Sequence, residues 1–462
     1  MITATLQLEN YLESFTEFEE LAVGHDLPWL RKLRRDAFAR FCEVGFPTPH
    51  DEDWRFTNVS AIAQTPFRLA WNGRARLSQQ ELERYRVAGV ASQLVFVNGR
   101  FARELSSLSN LPDTVNVSSL AGEISSNPEA IELHLGLYLD VRRDAFCALN
   151  TAFVGDGAYV HIPRGTLVEE PIYLLFVSTG DDVPSMSHPR NLIMAEENSQ
   201  ATFVEDYVSL DGGAGFCNTV TELVAGDHTV LSHYMIEREH KQAFNISTLR
   251  IEQGRGANVV SHSVLLGGAL VRNNVHPVLA GEGGECLING LFIGNGHQHL
   301  DNYMLVEHAS PHCGSRQFYN GILDGHAHGV FHGRIIVREG AQKTDAKQTN
   351  RNLLLSDDAQ IDTKPQLEIY ADDVKCTHGA TIGQIEGDAL FYLRSRGIDE
   401  VSARKLLLFA FASECLDRMK QGPVRKHVEG LINECLFQLA TAPDAGRGNR
   451  REDTGRNWEE VG

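Results

Sequence analysis

From about residue 155 to about residue 385 the chain is a long succession of short apolar runs, punctuated by Gly, Asp and Asn, with no helix of convincing length between them. Representative runs are AYVHI (158–162), IYLLFV (172–177), NLIMA (191–195), ATFVEDYV (201–208), TVLSHYMI (229–236) and ECLINGLFI (285–293). In the second half they begin near residues 257, 269, 285, 298, 313, 328, 341, 359 and 374, a mean step of roughly 15 residues. That step is short for a propeller blade and irregular for a solenoid. A repeating coil with two or three short strands per turn accounts for it, because stacked parallel coils bury one face of every strand and pair its backbone with the coils above and below. The rival is an antiparallel β-sandwich or double barrel with Gly-rich hairpins.

The flanks read differently. Asp26 with Pro28 starts a helix whose apolar positions Leu30, Leu33, Ala37 and Phe41 recur every three to four residues, and Gly45 and Pro47 end it. QLVFVNGRF (93–101) reads as a strand reaching an Asn98-Gly99 hairpin turn. Glu129 to Ala148 reads as helix. After the β region, Glu386 to Arg396 forms a short helix closed by Gly397. Asp399 caps a second helix running to about Lys420, stopped by Gly422-Pro423, and a third runs from Val424 to about Ala440. The expected divisions are therefore a mixed, mostly helical region over 1–154, a β core over 155–385, a helical domain over 386–440 and a disordered tail over 441–462. That tail holds little to bury beyond Trp458.

Composition narrows the function. Lys and Arg total 42 against 61 Asp and Glu, a formal charge of −19, which opposes binding to nucleic acid or an anionic membrane. The first twenty residues are acidic and lack a basic n-region and apolar h-region. The longest aliphatic–aromatic run, Leu406 to Ala412, is far below the roughly 20 residues of a membrane span. Eight cysteines stand singly, with no CxxC pair, as free thiols in a reducing compartment would. A cytoplasmic chain is expected. No Gly-Lys dipeptide occurs, so there is no Walker A loop, and the pairs Gly281/Gly283 and Gly294/Gly296 lack the third glycine of a dinucleotide fingerprint.

Three features could carry chemistry. Histidines 297, 299, 308, 312, 326, 328 and 332 cluster, and the two HxH pairs have the spacing of ligands on one strand face. No glutamate follows at the distance a cupin-type site needs, which favours exposed imidazoles on polar strand faces; a metal-dependent enzyme of dioxygenase type is the alternative function. Cys376 and His378, in YADDVKCTHGATIG, offer two ligands to iron, zinc or copper but do not complete a site. The competing reading puts Val374, Cys376, His378 and Ala380 on one core-like face. Finally, Leu406, Leu407, Phe409 and Phe411 belong to a run that encircles its helix, so that helix must be covered on both sides, by neighbouring helices or by a partner protein.

The segment QTNRNLLLSDDAQIDTKPQLEIYADDVKCTHGATIGQIEGDALFYLRSRGI (348–398) closely resembles the SufB/SufD family of iron–sulfur cluster assembly proteins, as do PRGTLVEEPIYLLFV (163–177), EDWRFTN (52–58) and LVFVNGRF (94–101). The chain is most similar to the SufD branch. The SufB branch has a Cys-Asp pair where Asn350, Arg351 and Asn352 stand, and His-Glu-Ala-Thr where His378-Gly379-Ala380-Thr381 stands. The resemblance implies a right-handed parallel β-helix with helical flanks and a non-enzymatic scaffold subunit with no catalytic residue of its own. It implies a complex with a SufB-like paralogue and a SufC-like ABC-type ATPase, and it leaves open a homodimer of the isolated chain. It places His378 and, less firmly, Cys376 at the cluster-forming interface, where they could ligate metal together with the partner subunit. It also places the helix carrying Leu406, Leu407, Phe409 and Phe411 where the ATPase docks. No cofactor is expected to be held stably by the chain alone; iron or an iron–sulfur cluster would be transient in the complex.

Overall fold

The computed structural model describes residues 2–70, 77–180, 183–210 and 212–441 of the 462, and the side chains from residue 9 onward. The tail expectation falls, beyond Thr441, outside the described residues.

Successive apolar runs do not pair with each other. Each pairs with the run after next, so odd and even runs build two separate sheets. One sheet runs Asn116–Ser119, Ala158–Ile162, Arg190–Ala195, Gly215–Ala225, Phe244–Gln253, Leu270–Leu279, His299–His308, His328–Val337 and Gln360–Ile369. The other runs Arg100–Phe101, Ser92–Val97, Ile172–Ser178, Gln200–Ser209, Val230–Arg238, Asn258–Leu265, Glu285–Gly294, Gly314–Leu323, Asp345–Leu354 and Lys375–Gly383. From Ile172 onward every pairing along these paths is parallel, which decides between the two architectures: the core is a parallel β-solenoid with two strands per coil. A coil advances by 26 residues from Phe244 to Leu270 and by 32 from His328 to Gln360, so the repeat is loose and its sequence period faint.

The corner between strands explains how so loose a repeat keeps its register. Gly165, Asn198, His228, Gly256, Gly283, His312 and Lys343 occupy equivalent corners, all with φ between 57° and 71°. Each donates its N–H to a carbonyl of the next coil: His228 to Arg255, Gly256 to Glu282, His312 to Gln342 and Lys343 to Asp373. The corner needs a left-handed residue. Glycine supplies it without strain in three coils, and in the other four the inter-coil hydrogen bond offsets the steric cost. Inside the solenoid, side chains stack in columns set by register. One column reads Leu231, Val259, Cys286, Ser315, Ala346 and Cys376.

The Asn98-Gly99 hairpin forms, with Phe96 opposite Phe101 and both turn residues at positive φ. Its strand Ser92–Val97 pairs with Ile172–Val177, and Asn116–Ser119 pairs with Ala158–His161, so the sheets run across the division expected at residue 154. The helix Pro28–Val44 buries Leu30, Ala37 and Phe41 as its periodicity requires. Residues 129–148 are not one helix. Helix is confined to Pro128–Glu132 and Ala145–Ala152, because Gly136 turns to φ 82° and the amides of Gly136 and Tyr138 go to the buried carboxylate of Glu222. Asp144 then restarts the helix by accepting from the amides of Phe146 and Cys147.

The C-terminal helices are Gly387–Ser395, Glu400–Leu416 and Pro423–Thr441, with Asp399 capping the second through the Ser402 amide. Leu408, Ala412, Cys415 and Leu416 pack over Leu291, Ile293, Phe318 and Ile322 on the outer face of the second sheet, and the last helix closes the same cluster with Val428, Ile432 and Leu436. No helix among the described residues is long and apolar enough to cross a membrane.

Candidate functional site

At one end the solenoid stops on two strands, Gln360–Ile369 and Lys375–Gly383, each the last of its sheet. The opposite end is closed by the antiparallel strands 100–101 and 116–119. The strand Lys375–Gly383 is exposed over most of its length, so one row of its backbone groups has no neighbour among the described residues. Such an edge can accept another strand or another solenoid.

Cys376 and His378 lie on this strand, paired with Ala346 and Gln348. Cys376 is half-buried against the interior cluster, and burial raises its thiol above the ordinary value, so on its own it is no activated thiolate. His378 is exposed. The core-like face therefore holds only as far as Cys376. Beyond it no further coil among the described residues covers the interior side, and His378 and Ala380 stand open. Beneath His378 runs a polar column: Gln348 donates from Nε2 to Gln317 Oε1 at 2.8 Å, and the buried Gln348 Oε1 has no hydrogen-bond partner among the described residues.

The histidine cluster is built differently from its spacing. His297 and His326 sit in corners and His299 and His328 begin strands, so the members of an HxH pair do not share a strand face. The imidazoles meet across coils instead: His297 stacks on His326 with centroids 4.8 Å apart, and His299 meets His328 edge-on at 4.7 Å. His297, His312 and His326 are exposed as expected, whereas His308 and His332 are buried and His299 and His328 half-covered. His299 lies 2.9 Å from Thr57 Oγ1, His308 2.8 Å from Ser315 Oγ and His328 2.8 Å from Asp362. Burial lowers His299 and His308 to about 4, leaving both neutral at pH 7. Among the described residues no group of three or more His, Cys, Asp or Glu side chains is placed to hold a metal ion.

The helix Glu400–Leu416 is covered mainly by its own chain. Leu407, Phe409 and Phe411 are half-buried, the last under the Arg351 guanidinium at 5.4 Å, and of these four leucine and phenylalanine side chains Leu406 alone, 51% exposed, faces outward. An apolar surface does remain, on residues the spacing argument passed over. Phe391 is 74% and Tyr392 56% exposed on the preceding short helix. Their signal was present in FYLRSRG, two adjacent aromatics in a segment too short to have two buried faces.

Two family profiles match this chain: SufBD protein N-terminal region over residues 6–174, and SUF system FeS cluster assembly, SufBD core domain, over residues 176–411. An iron–sulfur cluster assembly SufBD family protein of Synechocystis is 36% identical, over 93% of this chain and 95% of that protein. The iron–sulfur cluster assembly protein SufD of Escherichia coli is 31% identical over 85% and 90%, and that of Bacillus subtilis 25% over 92% and 97%. With profiles on both halves and relatives aligned over nearly their whole length, the chain belongs to the SufBD family of iron–sulfur cluster assembly proteins.

Proposed function

We propose that this chain is a SufD-like, non-enzymatic subunit of a SufBCD-type complex. The open end of its solenoid abuts a SufB-like paralogue, and nascent clusters form as cargo at that junction, with iron acquisition the part this subunit plays. The observation that carries the reading is the exposed final strand with His378 on its interior-facing row, half a site that a second solenoid end would complete. Support for an ATPase partner comes from exposed apolar side chains, Phe391 and Tyr392 on the short helix Gly387–Ser395 and Leu406 on the helix Glu400–Leu416, the second of which packs on the solenoid wall. In this reading a SufC-like ABC-type ATPase grips those helices, and its motion reaches the edge through the packed second sheet.

The test is His378→Ala. An exposed imidazole supports nothing beneath it, so melting should change by less than about 0.5 kcal/mol while cluster formation in reconstitution falls sharply. Cys376→Ser should be milder. Lost stability with cluster yield in proportion to surviving protein would refute the assignment.

A further inference from the structure

A cavity of about 650 Å3 lies over the outer face of the first sheet, roofed by residues 137–144 and by Trp54 of the EDWRFTN segment. That volume is in the range of small-molecule sites. Arg250 and His276 are register partners on its floor. The Arg250 Nε is buried without a hydrogen-bond partner among the described residues, and so is the Nε2 of His276. The nearest carboxylate to Arg250, Glu252, is 3.7 Å from Nη2, too far for a hydrogen bond. Two other sheet arginines of this cavity are hydrogen-bonded, Arg272 to Asp301 and Asn274 and Arg334 to Glu368, and Arg338 is largely exposed beside Glu307.

The Arg250 side chain is 21% exposed, but a buried N–H left unmet is costly, so packing on the sheet does not by itself account for Arg250. Beside it lies an aromatic surface: the Arg272 guanidinium is sandwiched between the rings of Trp54 at 3.8 Å and Tyr303 at 4.8 Å, and Tyr303 meets His276 edge-on at 5.5 Å. Burial holds His276 neutral, down to about 3, so its ring offers a single N–H. Asp53, Asp140, Asp144, Glu252 and Glu307 also line the space and repel additional negative charge.

We propose that this cavity binds a small organic monocarboxylate with a flat ring. Its carboxylate accepts hydrogen bonds from Arg250 Nε and the His276 ring N–H, and its ring lies along the edge of the Trp54–Arg272–Tyr303 stack, whose inner faces Arg272 already fills. The site is separate from the solenoid end and does not depend on the cluster-assembly role proposed there.

The experiment is calorimetric titration and thermal shift of the full chain with benzoate, phenylacetate and nicotinate, against acetate, phenethyl alcohol and phenyl phosphate. At least one ring carboxylate should bind and raise the melting temperature, with the three controls weaker by about tenfold or more. Arg250→Met should raise the melting temperature of the ligand-free protein and abolish the ligand-induced rise. His276→Phe, with Arg250 intact, should weaken binding by about tenfold without loss of stability. The proposal is overturned if no ring carboxylate binds, if phenyl phosphate binds more tightly than all of them, if Arg250→Met leaves binding unchanged, or if it destabilises the ligand-free chain.

Discussion

Glu237 and Glu239 are both buried at the end of the strand Val230–Arg238. Glu237 accepts from the amides of Glu239 and Gly267, and Glu239 accepts from Ser178 and Asn245. Burial raises Glu239 from 4.5 to about 7 and raises Glu237 well above its ordinary range, the second with help from the charge of Glu239. Nearby, Asp206 is neutralised by Arg238 at 2.6 Å. Carboxyls with raised folded-state values hold protons that the unfolded chain releases, so their contribution to stability is full below 4.5 and is lost as pH climbs toward 7. Glu239→Gln has no proton to lose, and with its Oε1 accepting from Asn245 Nδ2 its Nε2 can donate to the Ser178 hydroxyl. Its urea midpoint should therefore fall less than the wild-type midpoint between about pH 5 and pH 7. Parallel curves for the two proteins would show that the pair carries no such proton.

At the scale of elements, the helix Glu400–Leu416 presents two different faces at positions two residues apart. Leu408 is 1% exposed and packs on the solenoid wall, so Leu408→Ala should cost about 2–5 kcal/mol, read from urea unfolding. Leu406 faces outward, and Leu406→Asp should leave the unfolding curve in place while weakening pull-down of the ATPase. The reverse pattern would count against docking of the proposed ATPase at Leu406. The same packing bears on truncation: removing residues 386–462 would uncover Leu291, Ile293, Phe318 and Ile322, so point substitution is the cleaner probe of docking.

For the whole molecule, the asymmetry of the two ends matters most. A solenoid buries each coil against its neighbours, so an uncovered end is its weakest place and the natural seat of another protein. Ile382, on the last strand, is 45% exposed and contributes little to the isolated fold. Ile382→Asp should leave the melting temperature unchanged and lower co-purification with a SufB-like paralogue. Undiminished co-purification would move the junction away from this edge.

The amino-acid order by itself determined what short-range physics decides. Short apolar runs between Gly, Asp and Asn placed the strands, nearly every expected run becoming one, and Asn98-Gly99, Asp399 and Gly397 acted where local turn and capping chemistry puts them. The resemblance carried by the 348–398 segment named the family, and the strand it identified bears His378. Tertiary structure alone decided what depends on pairing at 26 to 32 residues' remove. Parallel pairing, the column of left-handed corners filled by Gly, Asn, His or Lys, and imidazoles that meet across coils rather than within HxH pairs all follow from coil stacking. So does the exposure of His378, whose strand alternates like any buried one. A side chain's neighbours on a solenoid come from the coils above and below, and at the last coil one of those neighbours is missing among the described residues.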